Sequence, residues 1–92
     1  MTETESTRDR FYGWANKVFS GEVFDVKTGN LMGLAAALVT GHSGAVSYFY
    51  FSAQKAGASE DELAAAADVA AAASGLNVYA LMPKAEEQKA DD

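Results

Sequence analysis

Residues 59–75 carry the pattern that most constrains the fold of this chain. Ser59 is followed three residues later by Glu62, the spacing of a capping box in which each side chain accepts a hydrogen bond from the other residue's backbone N–H. The run LAAAADVAAAAS comes next, and alanine is the residue that most favours helix. These residues predict a long helix, and their small side chains predict that a neighbouring helix approaches it closely.

The rest of the chain shows the same helical period. Apolar residues recur three and four positions apart after Ser6, Asp25 and Ser43, and each of these three residues is a good start for a helix. No segment alternates apolar and polar residues as a strand would. We therefore predict an all-α fold of about five helices, the last a short segment over Leu76–Met82 that follows a break at Gly75. The predicted buried stripes are Phe11, Trp14, Ala15, Val18 and Phe19 in the first helix and Leu31, Leu34, Ala35 and Leu38 in the second.

The third predicted helix is apolar on opposite sides, because Tyr48 and Phe51 face away from Val46 and Phe49. A helix that is apolar all round is covered on both sides. We expect it at the centre of the subunit or at a subunit interface. We expect a single domain over residues 6–83, a disordered tail over residues 1–5 and a flexible acidic tail over residues 84–92.

Composition excludes several classes of function. The net charge is −6 and no basic patch occurs, which argues against a nucleic-acid partner. There is no cysteine, so the chain offers neither a thiolate nucleophile nor a disulfide. The N-terminus has no apolar signal-like segment, and the apolar stretch Leu31–Val39 is too short to span a bilayer. These features predict a cytoplasmic protein that does not bind membranes. Ten aromatic residues in 92 favour an oligomer, since a subunit this small cannot bury them all.

Three pieces of sequence, in order, resemble one helical family. They are DVKTGNLMGLAAAL, KAGASEDEL with its turn and capping box, and the alanine-rich helix that ends at Ser74-Gly75. Together they are similar to the carboxymuconolactone decarboxylase and alkylhydroperoxidase-like family over about three fifths of the chain. The resemblance implies an alkylhydroperoxidase-like helical subunit that assembles into homotrimers or homohexamers.

The same resemblance places the family's catalytic positions on altered residues. The peroxidase branch uses a glutamate in the opening helix and a C-x-x-C-x-x-x-H motif. Alignment on Lys55-Ala56-Gly57 places these four groups at Asn30, His42, Ala45 and Phe49. Peroxide reduction by a thiolate and a resolving thiol is therefore excluded for this chain. A decarboxylase-like activity lacks support, because the histidine of that branch is replaced by Phe49.

His42, the only histidine, has two interpretations. It is either a lone acid–base group or metal ligand in the family pocket, with Asn30 and Tyr48 as further catalytic residues, or a helix-terminal histidine that hydrogen-bonds the local backbone. Ala45 and Phe49 are the expected pocket-lining residues. The aromatic run Tyr48–Phe51 either lines a pocket for a small apolar or aromatic ligand or packs in the core.

Three functions remain open at this point. The first is an oligomeric, non-redox binding or structural module without metal or cofactor. The second is a lyase- or isomerase-type enzyme that acts on a small organic acid through His42. The third is a subunit that completes an assembly with a different chain. The sequence favours the first.

Overall fold

Four helices make up the part of the chain that the computed structural model describes, residues 5–84. They are α1 (Thr7–Val18), α2 (Val26–Thr40), α3 (Ser43–Lys55) and α4 (Glu60–Leu81). No strand occurs within that range, so the all-α prediction is confirmed. The predicted tail over residues 1–5 and the predicted tail over residues 84–92 lie almost wholly outside the described residues.

The helices begin where local side chains cap them. Ser6 Oγ accepts a hydrogen bond of 3.0 Å from the Asp9 N–H, and Asp25 Oδ1 accepts one of 2.7 Å from the Thr28 N–H. The predicted capping box is present: Ser59 Oγ accepts from the Glu62 N–H at 3.1 Å and Glu62 Oε1 accepts from the Ser59 N–H at 2.9 Å. Each of these bonds satisfies a backbone donor that the helix itself leaves without a partner.

The prediction of a separate fifth helix is wrong. Gly75 keeps a helical backbone, and α4 continues through it to Leu81. An interior glycine lowers helix stability by about 1 kcal/mol relative to alanine. The helix preference of the alanine-rich segment before Gly75 offsets this loss. The helix ends where Met82 takes an extended conformation (φ −82°, ψ 126°). Pro83 forces this ending, because a residue before proline is kept out of the helical region.

The centre of the subunit is α2, because it packs against both α3 and α4, which scarcely touch each other. The core consists of Leu34, Ala53, Leu63 and Ala66. A central position for α3 within the subunit is therefore wrong: Tyr48 and Phe51 are 61 % and 60 % exposed. Its location at an interface between subunits stays a prediction.

Close packing on α2 depends on a glycine. A Cβ built on Gly33 would lie 2.6–2.9 Å from three ring atoms of Phe49, closer than carbon atoms can approach. The aromatic ring of α3 therefore rests directly on the backbone of α2. Small residues such as this one let α2 hold two neighbours, which explains why it occupies the centre rather than the bulkier α3.

Helix α1 stands apart from the other three, and none of its residues is buried. The Cα radius of gyration is 18.7 Å, whereas a compact chain of this length would have about 12 Å. The predicted aromatic stripe of α1 exists, but its larger side chains face solvent in the single chain. Trp14, for example, is 62 % exposed.

Helix α4 is the one helix of residues 5–84 whose length and composition would allow it to cross a membrane, with a mean hydropathy of 1.3. Much of that value comes from alanine, and a core helix of an assembly can have the same composition. Leu63, Ala66 and Ala70 of α4 are buried in the helical body.

Candidate functional site

A pocket of about 360 Å³ opens where the end of α1 meets the first turns of α2 and the second half of α3. It combines an aromatic and aliphatic wall with amide, hydroxyl and ammonium groups, the mixture that is typical of sites for small organic molecules. The lining residues are Asn16, Phe19, Val26, Asn30, Tyr48, Ser52, Lys55 and Ala56.

Asn30 is the most deeply placed polar group of this pocket, with 4 % of its surface exposed. Its Nδ2 donates a hydrogen bond of 2.8 Å to the Val26 carbonyl oxygen one turn earlier in α2. Its Oδ1 accepts no hydrogen bond from the residues that the structure describes, yet it is not sealed from solvent. Asn30 therefore presents an acceptor without a protein partner at a surface that the pocket reaches. A buried polar group of this kind is stabilised by any donor that enters.

The aromatic side of the pocket is built from three rings. The Phe19 and Phe49 centroids lie 5.1 Å apart, and those of Tyr48 and Phe49 lie 5.2 Å apart in an edge-to-face arrangement. Phe19 and Tyr48 line the pocket, whereas Phe49 lies behind them against Gly33. Both separations are favourable for aromatic pairs, so Phe49 fixes the wall that Phe19 forms.

Two of the site residues predicted from the sequence, Asn30 and Tyr48, line the same pocket. Phe49 supports the wall without lining it. Ala45 lies one turn before Phe49 on α3 and is not among the lining residues.

His42 does not join them. It is the N-cap of α3, where Nδ1 accepts a hydrogen bond of 3.0 Å from the Ala45 N–H. Tyr48, the nearest lining residue of the pocket on α3, lies six residues further along the helix, about 9 Å at 1.5 Å per residue. This hydrogen bond is the one expected if His42 is a helix-terminal residue bonded to the local backbone; its role as a catalytic residue stays a prediction.

The carboxylates of Asp25 and Glu62 take part in the N-terminal caps of α2 and α4. Hydrogen bonding by Thr28, through its side chain and then its backbone N–H, lowers the pKa of Asp25. The Ser59 backbone N–H and then the Lys27 ammonium lower the pKa of Glu62, and the Lys27 Nζ lies 3.0 Å from Glu62 Oε2. The charge at the pocket itself is that of Lys55. Within residues 5–84, no three histidine or carboxylate residues are grouped closely enough to hold a metal ion.

Two polar residues of the pocket, Ser52 and Lys55, are not among the site residues predicted from the sequence. They follow Tyr48 by four and seven positions on α3, which is the spacing of one helical face. That spacing could have identified them once Tyr48 was chosen. Asn16 and Phe19 come from α1, and their contribution depends on how the 19–25 connection turns, for which the sequence holds no comparable signal.

The model of the carboxymuconolactone decarboxylase family matches residues 6–87 of this chain. No curated protein and no solved structure matches the chain significantly. The match extends the resemblance from the central helices to α1 and to the end of α4. It fits the four-helix fold and is consistent with a member of the family that has no cysteine. This chain therefore belongs to the carboxymuconolactone decarboxylase family.

Proposed function

We propose that this chain is a non-redox, oligomeric binding module of its family, and that its ligand is a small organic acid with an aromatic or apolar body. The observation that carries the proposal is that one pocket is lined by Lys55, by the buried Asn30 and by Phe19. A carboxylate and an apolar body are the two parts of a ligand that such a pocket recognises.

Each lining group has a matching function in this proposal. Lys55 supplies the charge for a carboxylate, and a charge-assisted hydrogen bond is stronger than a neutral one. Ser52 donates or accepts through its hydroxyl, and the Asn30 Oδ1 accepts from a protonated or hydroxyl group of the ligand. Phe19 and Tyr48 offer ring surface for stacking.

Thiol chemistry is not available to this chain. It has no cysteine, and the family positions that carry the glutamate and histidine hold Asn30 and Phe49, neither of which exchanges protons near neutral pH. What the family pocket retains is a shaped, partly polar cavity. Binding without oxidation or reduction is the function for which these residues suffice.

The alternative of a lyase or isomerase requires His42 next to Asn30 or Tyr48. His42 instead caps α3, about 9 Å along the helix axis from Tyr48, and uses Nδ1 for the backbone of Ala45. No contact in the described residues favours this alternative over binding.

Assembly into a homotrimer or homohexamer is the second part of the proposal. Large apolar side chains remain exposed on α1, on the outer face of α3 and at the end of α4. Exposed apolar surface on this scale is unusual for a monomer and is typical of a subunit interface.

The binding test compares benzoate with benzyl alcohol, which keeps the ring and lacks the charge, by ligand-observed NMR. We expect benzoate to bind and benzyl alcohol to bind at least tenfold more weakly, since the ion pair with Lys55 is lost. Lys55→Met and Asn30→Leu should each weaken benzoate binding. Lys84→Met, which removes an exposed lysine away from the pocket, is the matched control and should bind like the unmodified protein. Equal binding by the Lys55 and Lys84 variants would refute the proposed site.

A further inference from the structure

Helix α1 carries an apolar stripe that no other part of residues 5–84 covers. Phe11, Trp14 and Val18 lie on one face, and each is more than half exposed. With twelve residues, α1 is at the lower limit for a helix that is stable without packing partners. A stable α1 therefore requires a surface that buries this stripe.

A groove of matching size runs between α2 and α4. Its volume is about 440 Å³ and its walls are almost entirely apolar. The ends of each wall are seven positions apart, at 28 and 35 on α2 and at 62 and 69 on α4, and the ends of the stripe, Phe11 and Val18, are also seven positions apart. At 1.5 Å per residue all three are about 10 Å long. The lining residues are Thr28, Leu31, Met32, Ala35, Glu62, Ala65, Ala66 and Val69.

The charges beside the stripe and beside the groove have opposite signs and equal spacing. Arg10 and Lys17 lie seven residues apart along one edge of the stripe, and both are exposed. Asp61 and Asp68 lie seven residues apart along the outer edge of the α4 wall, and both are exposed. A separation of seven residues is two helical turns, so each pair projects from one side of its helix. Two parallel or antiparallel helices in contact would bring the two pairs together.

From this complementarity we infer that α1 of one copy docks in the α2–α4 groove of a second copy, with Arg10 and Lys17 facing Asp61 and Asp68. The inference deepens the proposed function, on whose oligomeric part it rests, by naming the surfaces that meet. The Glu62 carboxylate in the groove is already bonded to Ser59 and Lys27, so it does not oppose the apolar stripe as an unpaired charge.

The test exchanges the charges on one surface at a time. The first variant is Arg10→Glu/Lys17→Glu and the second is Asp61→Lys/Asp68→Lys. Each alone brings like charges together, and we expect about a hundredfold weaker association, because like charges facing each other across an interface are strongly unfavourable. Mixed in equal amounts, the two variants restore opposite charges wherever α1 of one variant meets the groove of the other. This is every contact of an even-numbered ring and two of the three contacts of a trimeric ring, so association should recover. Light scattering after gel filtration reports the mass, and circular dichroism confirms that each variant is helical.

Trp14, the only tryptophan, supplies a second readout. Its emission should shift to shorter wavelength in the unmodified assembly and in the mixture, since docking removes the ring from water, and should stay at long wavelength in each variant alone. Docking of α1 on the groove of its own chain would show the blue shift in a monomer and no rescue on mixing, which would overturn the inference.

The outcomes separate this inference from the proposed function. An unmodified chain that is monomeric with an exposed Trp14 would overturn both the oligomeric proposal and the docking. Variants that assemble like the unmodified protein would overturn the docking alone. The benzoate site is tested by the separate variants Lys55→Met and Asn30→Leu, which leave Arg10, Lys17, Asp61 and Asp68 unchanged, and these four residues do not line that pocket.

Discussion

Replacing Gly33 by alanine tests the packing on which both the core and the pocket depend. The new Cβ would lie 2.6, 2.7 and 2.9 Å from three ring atoms of Phe49, so the ring must move. Phe49 is in contact with the Phe19 ring at a centroid distance of 5.1 Å. A displaced Phe49 therefore disturbs the aromatic wall of the pocket as well as the joint between α2 and α3.

Two opposing effects set the magnitude. Alanine favours helix over glycine by about 1 kcal/mol, whereas forcing an extra methyl group into a packed site costs about 1–3 kcal/mol. We expect the clash to prevail, because its closest atoms belong to a ring that α2 and Phe19 confine. With the helix gain subtracted from the packing cost, the free energy of unfolding should fall by up to about 2 kcal/mol.

Gly29→Ala, one turn earlier in the same helix, is the matched control. Its Cβ would meet only Phe19 Cδ1 at 3.6 Å, an ordinary contact, so the helix preference should act alone and raise stability by up to about 1 kcal/mol. Both variants are compared by urea denaturation, followed by circular dichroism at one protomer concentration, since assembly makes stability depend on concentration.

A second comparison identifies Phe49 as the cause. In a Phe49→Leu background the ring is gone, so adding Gly33→Ala should cost less than it does in the unmodified protein. If Gly33→Ala is as stable as Gly29→Ala, or if its cost is the same in both backgrounds, then the close approach of α3 to α2 is not the reason for the glycine.

Three further predictions concern the helix caps. Ser59→Ala should lower stability by about 1 kcal/mol, measured by urea denaturation, because it removes half of the capping box of α4; an unchanged midpoint would contradict it. His42→Ala should lower stability by a similar amount, about 1 kcal/mol, and leave benzoate binding intact; lost binding at unchanged stability would instead return His42 to the site. The fold lowers the pKa values of Asp25 and Glu62. The ionised carboxylates therefore stabilise the fold at any pH above their ordinary pKa values of 3.8 and 4.5. This contribution is lost as the pH falls through the lowered pKa values. The melting temperature should therefore drop on acidification below pH 4.5, and Glu62→Gln should show a smaller drop; equal drops would exclude Glu62 as a source.

Features that depend on a few neighbouring residues could be predicted from the sequence. Ser6, Asp25 and Ser59 cap their helices through bonds to a residue three positions away. Gly41 takes a left-handed conformation (φ 77°) at the end of α2, the position that glycine favours. In each case the residues that determine the structure are adjacent in sequence, so the pattern contains the full cause.

Features that depend on competition between distant segments could not. Gly75 resembles a helix end, and only the continuation of α4 to the residue before Pro83 shows that it is interior. Whether α2 or α3 lies at the centre depends on which helix lets two others approach, and that depends on the contact between Gly33 and Phe49. The spacing of apolar residues and the composition describe α2 and α3 alike as apolar helices. They therefore do not indicate which of the two is central.

The candidate site divides in the same way. Asn30 and Tyr48 were found because the family alignment and the aromatic run pointed to them, and Ser52 and Lys55 share the face of Tyr48. The wall that α1 contributes was missed, because it exists only where the chain between α1 and α2 folds back. This part of the site brings together α1 and α3, which are far apart in sequence, so no short sequence pattern indicates it.

Helix α2 separates the two surfaces to which function is assigned here. Val26 and Asn30 line the pocket on one face of α2, whereas Leu31 and Ala35 line the groove on the opposite face, as a 100° step per residue requires. Binding in the pocket and docking in the groove can therefore occur together. Helix α1 connects them, since Phe19 at its end forms part of its own pocket while its stripe would lie in the groove of a neighbour. The same short helix would thus be held at the pocket of its own chain and in the groove of a neighbouring chain. Assembly would therefore order the wall of the pocket. By the same coupling, a ligand that orders this wall would strengthen assembly.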